Sequence, residues 1–87
     1  MSKKQATADP IAIRSALIDA VKIAPTQFFT RALLVQAVAD LLPSVEVRES
    51  DILPAIQWHK EKGNITNVYS EKLEQDLWRV TERGKSA

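Results

Sequence analysis

DILPAIQWHKEKGNI, residues 51–65, decides how this chain folds. Ile52, Ala55, Ile56 and His59 recur at three- and four-residue spacing, so they share one face of a helix. Gly63 stands where a helix stops in a left-handed residue, and Asn64 follows it. The opposite side carries Pro54, Gln57, Trp58 and Glu61, with Leu53 and Lys60 on one flank. Ser50 and Asp51 are both competent caps for the helix start, and Glu49 and Asp51 suit its positive end. Pro54 belongs in a first turn, so the cap is expected close before it and the helix over residues 51–62.

Two further helices are expected upstream. Asp9 is a good N-cap and Pro10 a good first residue, with Ile13, Leu17, Ala20, Val21 and Ala24 on one face. Pro25 ends that helix. PTQFF is a connector in which Phe28 and Phe29 suit a brief extended piece. Thr30 caps a second helix, Arg31 to about Leu42, closed by Pro43. Its inner stripe is Leu34, Ala37, Val38 and Leu41, widened by Val35 and Leu42. So broad a stripe implies contact on more than one side.

Downstream of Gly63 the period changes from helical to alternating. NITNVY and LWRVT read as strands, and the polar SEKLEQD between them as the loop of an antiparallel hairpin. Residues 1–8 read as a flexible tail or a basic arm, residues 9–82 as one domain, and residues 83–87 as a polar C-terminal tail.

Composition narrows the function. Eighty-seven residues fit one small domain. The chain has no Cys, which excludes disulfides, thiolate zinc sites and a Cys nucleophile, and its single His excludes a multi-His metal site. No catalytic triad or Gly-rich phosphate loop is present, so neither an enzyme nor a cofactor is expected. ALLVQAVADLLP is too short and too interrupted to span a membrane, and the N-terminus lacks the apolar run of a secretory signal. A cytoplasmic protein is the expectation. The formal net charge of +1 is low for a protein that coats DNA non-specifically.

Three helices and a hairpin, in that order, resemble the winged helix-turn-helix of bacterial and phage transcription regulators. The likeness extends to details. Ile52, Ile56, His59, Gly63 and Ile65 match the apolar offsets and terminal glycine of that family's recognition helix. His59 departs from the pattern, which usually has Leu there. WRVTERG, residues 78–84, resembles the aromatic-x-aliphatic-Thr-x-x-Gly ending of its second wing strand. The resemblance covers residues 9–84 and implies a mainly α, α+β fold with a C-terminal β-hairpin wing. Its core is expected from Ile13, Leu17, Val21, Leu34, Val38, Leu41, Ile52, Ile56, Ile65, Trp78 and Val80. His59 is expected as a neutral core-edge residue with one ring nitrogen bonded.

The resemblance also implies duplex DNA as partner, read by the third helix, with a homodimer enlarging the footprint. On that scheme Gln57 pairs with adenine, Ser50 and Arg48 meet phosphate at the helix start, and Lys60, Lys62 and the wing's Lys72 contact the backbone. The residues themselves lean elsewhere. Glu46, Glu49 and Asp51 crowd the helix start, and the wing loop carries Glu71, Glu74 and Asp76. Leu53, Pro54, Trp58 and Glu61 form a face suited to a protein partner, with Trp58 and Pro54 as its apolar anchors. Both partners stay open at this level.

Overall fold

Two of the three expected helices begin at the caps the chain offers. The computed structural model describes residues 9–87, so the expected tail over residues 1–8 lies outside the described residues. Asp9 caps α1, Pro10–Ile23, by accepting the Ile11 N–H at 3.1 Å. Thr30 caps α2, Arg31–Leu41, by accepting the Leu33 N–H at 3.1 Å. A third helix, α3, spans Glu49–Glu61.

The start of α3 corrects the expected boundary. Arg48, not Ser50 or Asp51, occupies the cap position, and Asp51 sits three residues inside. From there its carboxylate reaches back to accept the Arg48 N–H at 2.9 Å. Pro54 is therefore the sixth helical residue rather than part of the first turn. It withholds the N–H that would have bonded the Ser50 carbonyl. The helix runs through it because Ile52, Ala55 and Ile56 are buried on its inner side.

The end of α3 is as expected. Gly63 has φ +79°, a left-handed conformation that costs glycine nothing. Its N–H bonds the Lys60 carbonyl at 3.0 Å, and the Asn64 N–H bonds the His59 carbonyl at 2.9 Å. That pair of bonds satisfies two of the helix's last carbonyls.

The hairpin comprises β1, Ile65–Ser70, and β2, Gln75–Val80, antiparallel with Ile65 opposite Val80 and Ser70 opposite Gln75. The loop is residues 71–74, tighter than the expected 70–76, because Ser70, Gln75 and Asp76 join the ladder. Phe29 adds a third, single-residue strand. It exchanges two backbone bonds with Trp78, at 2.7 and 2.8 Å, and so ties the α1–α2 connector to β2.

Ile13, Leu17, Val21, Leu34, Val38, Ile52, Ile56, Ile65 and Val80 are buried together, as expected. Leu41 is not: it lies at the last turn of α2 and is 41% exposed. Trp78 is only half-buried against the core, while Phe29, Ala16 and Ile18 complete it.

The segment expected as a polar tail contains a fourth short helix, α4, Glu82–Lys85. The Thr81 hydroxyl nucleates it, accepting the Gly84 N–H at 3.0 Å while donating to the Gly63 carbonyl at 2.6 Å. Gly84 is buried against Asn64 and Val80. The Thr-x-x-Gly ending is thus a clasp that joins the end of β2 to the end of α3.

Candidate nucleic-acid interface on the third helix

The buried residues of α3 determine what it presents. With Ile52, Ala55, Ile56 and His59 inward, helical geometry puts Ser50, Pro54, Gln57 and Glu61 along the opposite ridge. All four are exposed. Leu53 and Lys60 lie on one flank, toward the hairpin, where the Lys60 ammonium stands 5.8 Å from the centre of the Trp78 ring. Trp58 and Lys62 lie on the other, toward α1. Five of the six residues expected to meet DNA therefore belong to this helix and its caps: Arg48, Ser50, Gln57, Lys60 and Lys62. Lys72 is set apart, in the hairpin loop.

Most of these side chains have internal partners. Arg48 pairs with Glu46 at 3.4 Å, and Glu49 with Arg31 at 2.7 Å. Arg31 is a cation that sequence reasoning missed, since only the packing of α2 beside α3 brings it to the helix start. These pairs are solvent-exposed, where an ion pair contributes about 0–1 kcal/mol. An incoming phosphate can therefore exchange with them at small cost. Asp51 is different, because its carboxylate already holds the cap N–H. Gln57 donates one of its two amide hydrogens to Glu61 at 2.9 Å, which leaves the other hydrogen and Oε1 for a base edge.

Trp58 is 37% exposed and is less free than a docking anchor. The Arg14 guanidinium lies 4.6 Å from its ring centre and the Lys62 ammonium 5.3 Å. The His59 ring meets it edge-on at 4.9 Å. Leu53 lies on the opposite flank, so the four residues expected to dock a protein straddle the ridge rather than forming one patch.

Beneath Trp58, both ring nitrogens of His59 are bonded, not one. Nε2 is 2.7 Å from the Arg14 carbonyl oxygen, which only accepts, so Nε2 carries the proton. Nδ1 then accepts from the Asn64 amide at 3.0 Å. The ring is neutral and joins α1, α3 and the start of β1. Burial pushes its pKa below the ordinary 6.5, and the Arg14 charge pushes the same way, while the bond to the Arg14 carbonyl opposes them.

A lowered histidine pKa means the unfolded chain takes up the proton first as pH falls. The stabilisation from His59 is complete above pH 6.5 and fades below it. Urea midpoints should therefore drop between pH 7 and 5 in the native chain and stay flatter in His59→Gln. Parallel profiles would contradict this.

Among the described residues no group of His, Asp and Glu is placed to hold a metal, and no helix is long and apolar enough to cross a membrane. The cleft between α1 and α3, lined by Pro10, Arg14, Ser50 and Pro54, measures about 120 Å³. Open surface grooves elsewhere reach about 300 Å³, the lower end of the roughly 300–1,000 Å³ usual for small-molecule sites.

No family model matches the chain, and no curated protein does. Among solved structures it is similar to a double mutant of ZitR from Lactococcus lactis, with a TM-score of 0.56 at 18% identity. The match covers 87% of this chain and 45% of that one, so the chain spans less than half the length of that structure. The shared architecture, three helices followed by an antiparallel hairpin, is a winged helix.

Proposed function

We propose that this winged helix binds duplex DNA, as a transcriptional regulator or an accessory factor. On this reading α3 lies along the major groove and the hairpin reaches the adjacent backbone. One observation carries it: a single exposed ridge with cations at both ends. Gln57 lies on that ridge, Arg31 and Arg48 stand at its start, and Lys60 and Lys62 stand at its finish. Base-edge chemistry in the middle and phosphate chemistry at the ends is the division of labour that groove reading requires. The fold shared with ZitR at 18% identity is a winged helix, an architecture compatible with this reading.

The test is a salt titration of binding to mixed-sequence duplex, read by fluorescence anisotropy. Affinity should fall with a log–log slope of about −0.9 per phosphate engaged, and Arg48→Ala should flatten the slope by about one phosphate. No anisotropy change at low salt would refute the proposal.

The second reading is a protein-interaction module that uses Leu53, Pro54, Trp58 and Glu61. Two observations favour it. One Gln57 amide hydrogen is already committed to Glu61, and Leu53 and, in part, Trp58 leave apolar surface exposed. A chain that ignores DNA at every salt concentration would turn attention to that ridge.

A further inference from the structure

We propose that the outer edge of β1 is a self-association surface on which a second copy of this chain pairs antiparallel. The sheet order is β1–β2, with Phe29 bonded on the far side of β2. The outer side of β1 has no strand beside it among the described residues.

The ladder's phase identifies the groups that point outward. The Thr81 N–H bonds the Asn64 carbonyl at 2.9 Å, which marks residues 64 and 81 as a bonded pair. Bonded and non-bonded pairs alternate in an antiparallel ladder, so Thr66, Val68 and Ser70 bond to β2. Ile65, Asn67 and Tyr69 then aim their N–H and C=O groups away from it. Trp78 gives the same phase independently. It faces Asn67 across the ladder, yet spends both its backbone groups on Phe29.

This edge lacks the usual protection. Strands exposed at an edge are normally blunted by charge, proline or a bulge. ITNVYS contains no charged residue, no proline and no glycine, and its register with β2 is unbroken. Val68 and Tyr69 are 49% and 61% exposed.

A second copy fits because the edge is its own complement. With Asn67 opposite the same residue of the second copy, Ile65 meets Tyr69 and every outward backbone group finds a partner about one two-fold axis. One step past the strand, the loop of each copy meets the α3–β1 corner of the other, with Glu71 opposite Gly63. The hairpin end carries Glu71, Glu74 and Asp76 against Lys72, while the corner carries Lys60, Lys62 and Arg83 against Glu61. Arg83 lies beside Gly63. The acidic loop that suits DNA poorly thus acquires a basic counterpart.

The experiment is sedimentation equilibrium of the full chain without DNA, from about 1 µM to 1 mM, so that it stands or falls separately from DNA binding. The expected mass rises toward twice the 9.7 kDa of one chain. Asn67→Pro deletes an outward N–H while sparing the bonds to β2, and should weaken the dimer at least about tenfold. Glu71→Lys and Arg83→Glu should each weaken it, and the double variant should restore it. If Asn67→Pro fails to fold, the charge swap alone decides. A chain that is monomeric at 1 mM overturns the proposal, and so does a dimer indifferent to the charge swap.

Discussion

Gly84→Ala is expected to destabilise the fold by at least about 3 kcal/mol, enough to lower the Tm by more than about 12 °C in a domain of this size. A Cβ at position 84 would lie 2.0 Å from the Asn64 carbonyl oxygen and 2.8 Å from a methyl of Val80. Neither neighbour can yield cheaply. The Asn64 carbonyl accepts the Thr81 N–H, and Val80 is buried in the core opposite Ile65. The smallest possible side chain must therefore break the clasp between α4 and the α3–β1 corner. Thermal unfolding followed by far-UV circular dichroism reads the effect. A variant melting within a few degrees of the native chain would show that α4 does not hold the fold. Gly63, twenty-one positions earlier, is glycine for its left-handed backbone, whereas Gly84 is glycine for lack of room.

The second large effect is expected from Ile52→Ala, at about 2–5 kcal/mol. Ile52 is wholly buried and seats α3 on the core it shares with α1 and α2. The next residue supplies the control. Leu53 is exposed on the hairpin flank, so Leu53→Ala should stay within about 0.5 kcal/mol of the native chain. Urea unfolding of the two variants separates inward from outward along α3. Comparable losses in both would mean that the helix is rotated from the orientation described, and the presented ridge would have to be redrawn.

That orientation was readable from residues alone, because burial acts on every third or fourth position and leaves a periodic trace. Ile52, Ile56, His59 and Ile65 carried it, and all four are buried. The caps Asp9 and Thr30 and the stop at Gly63 were readable for a related reason, since their chemistry is local. Contacts made across the fold leave no such trace. Leu41 keeps the period of α2 but sits at its last turn, beyond the edge of the core. The start of α3 was misplaced because Asp51 caps from within rather than from in front. α4 is four residues without a period, formed by one threonine hydroxyl and a close approach to Asn64. At the candidate interface the ridge could be drawn in advance. The pairings that occupy it, Arg31 with Glu49 and Gln57 with Glu61, required the tertiary and rotameric arrangement.

The bridge from Phe29 to Trp78 and the clasp at Thr81 anchor opposite sides of the hairpin's root. The third helix and the ribbon are therefore held like a caliper with locked jaws. Whatever they grip together must already have the matching width, and little conformational entropy is surrendered at the root when it arrives. On the proposed DNA-binding reading, discrimination by shape would precede any side-chain contact at the tip.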